Sequence, residues 1–235
     1  MRNFLIFNGK KSSDFGVWIS GEGVFNAPER DLTTVSVPGR NGDLIYDNGR
    51  FKNITISYQS FIHKDFMDRV NQMKFWLKSS IGYQRLEDSY NPDYYRMAYY
   101  QNNIDFTPRF LNWGAEFTLY FICKPQRFLK SGEYSISILN SGEQLFNPYM
   151  DSLPLIKVNG NGSGSITINT TTVTINSMTD YLYLDCDLQN AYKDTVNQNN
   201  NIVAPVFPTL SNGSNIIGWS GGVENIEITP RWWTL

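Results

Sequence analysis

Two aspartates, one histidine and two cysteines are the residues of this chain whose types and spacing bear on chemistry. Asp185 and Asp187 stand two apart in an alternating run, 181–188, that reads as a strand, so their carboxylates would leave one face about 7 Å apart. Two-carboxylate glycoside hydrolysis works at separations of roughly 5 to 10 Å. It also needs one carboxyl kept protonated by apolar or like-charged surroundings, and nothing in the sequence marks a cleft. A turn-capping or solvated role is therefore the expectation for the pair, ahead of catalysis or calcium binding. His63 is the single histidine, which excludes a His-cluster zinc site and leaves any triad depending on one residue between a strand and a helix; its expected role is structural. Gly160, Gly162 and Gly164 lack the strand-to-helix transition and following Lys-Ser/Thr of a phosphate-cradling loop, and read as a hairpin turn. No catalytic residue, cofactor site or metal site is expected.

The elements around these residues are mostly strands. Of 235 residues, 41% are hydrophobic and 15% aromatic, a composition that excludes a disordered chain and favours β-structure. Lys and Arg number 20 and Asp and Glu 22, for a net charge of −2, so no electrostatic drive toward nucleic acid or an acidic membrane exists. No apolar run approaches the ~18 residues of a membrane span, and no signal peptide is evident. Synthesis in a cytoplasm is expected, which makes Cys123 and Cys186 reduced, buried strand residues, although a disulfide between them is open in principle.

Turns are expected at Asn8-Gly9, Gly21-Glu22-Gly23, residues 38–42 and Asp47-Asn48-Gly49. Residues 51–61 alternate as one long strand, with Ile54, Ile56, Tyr58 and Ser60 on one face. Phe66, Val70, Met73 and Leu77 fall on one helical stripe and predict the one substantial helix, 65–77, covering a sheet face. Further strands are expected at 83–86, 94–100 and 113–123, where Pro125 should interrupt the last. Downstream, Ile166, Ile168, Val173 and Ile175 predict a hairpin of two short strands, and 215–219 and 223–229 two more. The expected fold is mainly β: an N-terminal β-sandwich-like domain with one helix, 1–130, and a C-terminal β-sandwich, 131–235.

In order along the chain, Asp14-Phe15-Gly16, the segment Val37-Pro38-Gly39-Arg40-Asn41-Gly42-Asp43-Leu44, the strand 53–58, Phe75-Trp76-Leu77 and Phe121-Ile122-Cys123-Lys124-Pro125 resemble the distal tail protein (Dit) family of siphophages. The second half adds Asn147-Pro148, residues 154–158, Tyr183-Leu184-Asp185-Cys186-Asp187, Ala191-Tyr192, Phe207-Pro208-Thr209-Leu210 and the ending 228–233. The order of these segments, rather than any one of them, carries the resemblance. It implies a homo-hexameric ring at the virion tail tip that lets DNA pass, assembled in the bacterial host cytoplasm. It further implies a galectin-like or carbohydrate-binding-module-like C-terminal sandwich. The implied partners are the tail tube protein, a tail-associated baseplate protein and a receptor-binding protein. Candidate ring-interface residues are Pro38, Gly39, Arg40, Asn41, Gly42 and Asp43, in the polar segment Pro38 to Gly49, which with its flexible glycines is expected to form either an extended hairpin or loop that reaches a neighbouring subunit or an ordinary solvent loop. Trp219, Trp232 and Trp233 are candidate peripheral contacts, and with Tyr181 and Tyr183 are the aromatics that could stack on sugars. The galectin set of His, Asn and Arg around a Trp is absent. A stand-alone carbohydrate-binding adhesin is the alternative, and a β-sandwich glycosidase the third reading.

Overall fold

The computed structural model describes residues 2–20, 25–109 and 111–235; the turn expected at Gly21-Glu22-Gly23 lies outside them. The chain divides into two compact units, one up to Arg127 that also takes in Leu235, and one from Phe128 to Thr234. The fold is mainly β, as the sequence predicts.

In the first unit the main strands are β1 (Leu5–Phe7), β2 (Val17–Ser20), β3 (Arg30–Val35), β4 (Leu44–Phe51), β5 (Ile54–Ile62), β6 (Gln84–Asp88), β7 (Tyr94–Tyr99) and β8 (Gly114–Leu129), with helix α1 (Phe66–Lys78) between β5 and β6. All but β3 and β4 join one sheet in the order β1-β6-β7-β8-β5-β2. Period-2 alternation places Ile54, Ile56, Tyr58, Ser60 and Ile62 inside, each under 9% exposed. The strand expected to begin at residue 51 begins at Ile54, because Phe51 closes β4.

The stripe of α1 buries Phe66, Val70, Met73, Trp76 and Leu77. The Trp76 indole N–H donates to the Phe7 carbonyl at 3.0 Å, and its ring stacks on Phe15 at 4.7 Å between centroids. Gly16, left-handed at φ 68°, ends the short turn Ser12–Phe15 that presents Phe15. Two segments of the motif order, Asp14-Phe15-Gly16 and Phe75-Trp76-Leu77, thus meet in one core.

Pro125 does not interrupt β8. The ladder with β5 ends at Cys123↔Ile54, so no N–H is needed from residue 125 on that side, and its carbonyl accepts a hydrogen bond from Arg96 Nη1 at 3.0 Å.

The main strands of the second unit are β9 (Ile136–Ile138), β10 (Glu143–Asn147), β11 (Leu155–Ile168), β12 (Thr171–Met178), β13 (Tyr181–Asp185), β14 (Asn190–Lys193), β15 (Ile202–Val203) and β16 (Gly213–Thr229). β11 and β16 pair twice, 155–159 with 225–229 and 164–168 with 217–221, with register shifts between. One half runs β9-β16-β11-β13-β14 and the other β10-β16-β11-β12-β15. Each buries an apolar face, Ile156, Val158, Leu182, Leu184, Ile226 and Ile228 in the first, Ile166, Ile168, Val173, Ile175 and Ile217 in the second. They are the layers of a β-sandwich whose two longest strands change layer at an irregular corner.

Three expectations change at that corner. The glycine run is inside β11 and not a hairpin turn, the first strand of the 166–175 hairpin is long, and 215–219 and 223–229 are one strand, β16. The cause is close backbone approach: a Cβ on Gly222 would lie 1.7 Å from the Asn161 carbonyl oxygen, and one on Gly160 2.1 Å from that of Gly222.

Candidate subunit-contact surface

The segment carrying Pro38, Gly39, Arg40, Asn41, Gly42 and Asp43 is the tip of a two-stranded ribbon. β3 and β4 pair with each other, Val35↔Leu44 through Leu32↔Asp47, and among the described residues join no other sheet. Gly39 and Gly42 take positive φ of 78° and 83°, and Arg40 N–H donates to the Val37 carbonyl at 3.1 Å, closing the tip as a turn. Asp47-Asn48-Gly49, expected as a turn, lies inside β4 as a bulge; Gly49 N–H donates to Asp47 Oδ1 at 2.9 Å.

A two-stranded ribbon is marginal in water, and this one is held by cross-strand charge pairs near its base. Arg30 pairs with Asp47, its Nε 2.9 Å from Oδ2; Arg50 Nε lies 2.7 Å from Asp31 and Lys52 Nζ 3.1 Å from Glu29. Hydrogen bonding from Arg30 holds the Asp47 carboxyl below its ordinary value, and that from Arg50 does the same for Asp31. Toward the tip the ribbon is apolar on both faces. Val35, Leu44 and Tyr46 share one face and Leu32 and Ile45 the other, by register. All five are exposed, Ile45 and Tyr46 at 66% and 69%. Exposed apolar groups on both sides of a ribbon make it the candidate contact surface of the first unit. The sequence reading took in the segment Pro38 to Gly49 for its polarity and glycines and did not single out these apolar side chains, since Leu44-Ile45-Tyr46 has the same pattern as a covered strand.

The other candidates separate. Trp232 is 7% exposed; its ring lies 6.2 Å from that of Tyr149, and a Cβ on Gly132 would come within 2.3 Å of its backbone nitrogen. Trp233 is half-buried, its indole N–H donating to the Asp151 carbonyl at 2.9 Å. Trp219 is half-buried in β16, where its backbone binds the Ser141 hydroxyl. Tyr183 stacks on Tyr192 at 5.3 Å, and the ammonium groups of Lys157 and Lys193 sit over Tyr181 at 5.5 and 5.0 Å. The rings of Tyr181, Tyr183 and Trp232 are thus already in use.

Asp185 and Asp187 do not share a strand face. β13 ends at Asp185, whose Oδ1 accepts the N–H groups of Asp187 and Leu188 at 3.1 Å each, capping the turn that carries Asp187. Arg231 grips the same carboxylate with two N–H groups at 2.7 and 2.9 Å. Burial alone would raise the Asp185 carboxyl; the guanidinium and turn N–H groups outweigh it and hold it below the ordinary value, the opposite of what a general acid needs. His63 is exposed between β5 and α1. Among the described residues, no three His, Cys, Asp or Glu side chains are placed to hold a metal ion, and no helix is long and apolar enough to cross a membrane.

No family model and no curated protein sequence matches the chain. Solved structures do. The crystal structure of SPP1 Dit (gp 19.1), described as a paradigm of the hub adsorption apparatus in phages infecting Gram-positive hosts, superposes with a TM-score of 0.80 at 10% identity, over 97% of this chain and 98% of that one. Two structures of the phage P2 baseplate in its activated conformation, with Ca and with Sr, cover 97% of both chains at TM-scores of 0.50 and 0.51 and identities of 8% and 10%. From end to end, this chain has the fold of SPP1 Dit.

Proposed function

We propose that this protein is a structural subunit of a phage tail tip, a hub of the distal tail type and not an enzyme. The observation that carries the reading is the end-to-end correspondence with SPP1 Dit, which includes both units in one order. Six copies form a ring through the first unit, each laying its β3–β4 ribbon, with tip residues Pro38 to Asp43, against the next copy. A contact of this head-to-tail kind closes into a ring when its rotation is an integral fraction of a turn. The ribbon's exposed Leu44, Ile45 and Tyr46 supply the buried area, and its base pairs hold it extended before assembly.

The ring continues the tail tube above, meets a tail-associated baseplate protein below and carries a receptor-binding protein at its rim; DNA passes through its centre. The half-buried Trp219 and Trp233 of the second unit are the contacts proposed for peripheral proteins. The site of action is the virion tail tip, after assembly in the host cytoplasm. Negative-stain electron microscopy of the purified chain at high concentration tests the reading. Six-membered rings with a central hole are expected; monomers at every concentration, alone and with a tail tube protein, would overturn it.

A further inference from the structure

Asn-Gly steps occur six times in the chain, beginning at Asn8, Asn41, Asn48, Asn159, Asn161 and Asn212. Asparagine is thermolabile, most of all before glycine, whose N–H can reach the side-chain carbonyl carbon with no Cβ in the way. Closing that ring requires a side chain free to turn, a glycine nitrogen not engaged elsewhere, and a backbone able to rotate. The structure distributes these requirements unequally.

Four steps are held by hydrogen bonds. Asn48 Nδ2 donates to Thr33 Oγ1 at 3.2 Å, and the Gly49 N–H is taken by Asp47. Asn159 Nδ2 donates to Asn225 and Glu227 at 2.7 and 3.0 Å, and the Gly160 N–H to the Asp180 carbonyl at 2.9 Å. Asn161 Oδ1 accepts the Asp180 N–H at 3.1 Å, and Asn212 Nδ2 donates to the Tyr149 carbonyl at 2.7 Å. At Asn8 the side chain is free, but the step is the two-residue loop of a hairpin. Phe7 pairs with Lys10 across it, and the Asn8 N–H donates to the Arg85 carbonyl at 3.0 Å, so its backbone is fixed on both sides.

Asn41-Gly42, at the tip of the ribbon, meets all three requirements. Both residues are exposed. Among the described residues, neither the Asn41 side chain nor the Gly42 N–H has a hydrogen-bond partner. A Cβ on Gly42 would meet nothing within 4 Å, so the surroundings are open. Backbone bonding stops at Arg40, whose N–H is on the Val37 carbonyl, and the ladder resumes at Leu44.

We propose that Asn41 is a site of spontaneous deamidation, and that the fold gives it the lead over the other five steps. The Gly42 nitrogen attacks Asn41 Cγ: the N–Cγ bond forms, the Cγ–Nδ2 bond breaks, and the amide leaves as ammonia with the proton that Gly42 carried. Water then adds to one of the two imide carbonyls and breaks its bond to nitrogen, which regains a proton. Opening at Cγ leaves an aspartate; opening at the main-chain carbonyl leaves an isoaspartate, whose main chain is one carbon longer. Nothing is oxidised or reduced, and water is the only co-reactant. Either product puts a second carboxylate beside Asp43, so a tip in which Arg40 and Asp43 balance becomes negative with age. The proposal is independent of the ring reading, since the reaction needs only the free chain.

The test is to incubate the full-length folded protein at mildly alkaline pH in heavy-oxygen water and to follow each step by peptide mass spectrometry. Only conversion during the incubation carries the oxygen label. Asn41 should convert first, at least ~10-fold faster than Asn48, Asn159, Asn161 or Asn212, each of which must first release hydrogen bonds. In denaturant the spread among the six should collapse. Gly42→Ala should slow conversion at Asn41 and leave the order of the others unchanged. Any of the other five steps keeping pace with Asn41 in the folded protein overturns the proposal, as does a lead that denaturant leaves undiminished. A rate at Asn41 that Gly42→Ala does not change overturns the attack by the Gly42 nitrogen.

Discussion

Asp185 and Arg231, 46 residues apart, form a two-pronged ion pair in which each guanidinium N–H meets its own carboxylate oxygen, at 2.7 and 2.9 Å. The aspartate side chain is 6% exposed and the arginine 29%. Arg231 sits at φ 54°, with its own N–H donating to the Gly132 carbonyl. The pair fastens the C-terminal segment to the end of β13 and leaves no proton-donor role for the carboxyl.

Removing one partner of a mostly buried pair strands the other. Asp185→Ala should destabilise the second unit by about 3 kcal/mol, seen as an earlier denaturant midpoint in its transition. An unchanged midpoint would show the pair to be dispensable. Because the folded carboxyl lies below its ordinary value of 3.8, its contribution is complete above that value and is lost as pH falls through the folded value. The wild type should therefore lose stability below about pH 4 more steeply than Asp185→Ala.

The glycines divide sharply by what surrounds them. Gly222→Ala should prevent native packing of the second unit, since its Cβ would meet the Asn161 carbonyl at 1.7 Å. Gly42→Ala meets nothing within 4 Å and should cost only about 1 kcal/mol, for positive φ. Circular dichroism melts of both variants test the contrast, and similar melts would refute it.

The role proposed for the ribbon flanks is in assembly and not in folding. Tyr46→Asp should leave the melting of the isolated chain within about 0.5 kcal/mol of wild type and abolish rings. Arg40→Glu should weaken ring formation at the tip. Rings of normal yield from both variants would exclude the ribbon from the subunit contact.

Burial pushes both thiols up to about 12, and Cys123 and Cys186 lie one in each unit. At pH 7.5 neither should react with an aqueous thiol reagent except through opening. In denaturant, labelling of Cys186 should accelerate in Asp185→Ala while that of Cys123 does not. Parallel acceleration would mean that the two units open together.

The β-rich class, the stripe of α1, the inward face of β5 and the burial of both cysteines were legible in the sequence, because period 2 and period 3.6 state which side chains share a face. So was the place of the ribbon tip, through its glycines. The pattern cannot state what covers a face. Leu44, Ile45 and Tyr46 are consecutive apolar residues, as in a strand covered on both faces, yet stand in solvent, and Phe146 and Ile216 are likewise exposed in the second unit. Nor can local reading foresee contacts between distant segments: the Gly160 to Gly164 run looks like a turn until Gly221 and Gly222 are brought against it, and Asp185 beside Asp187 looks like a pair until Arg231 arrives. Local alternation determined the elements; backbone approach and charge pairing across the fold, set only when strands far apart in sequence meet, decided which surfaces remain open for another molecule.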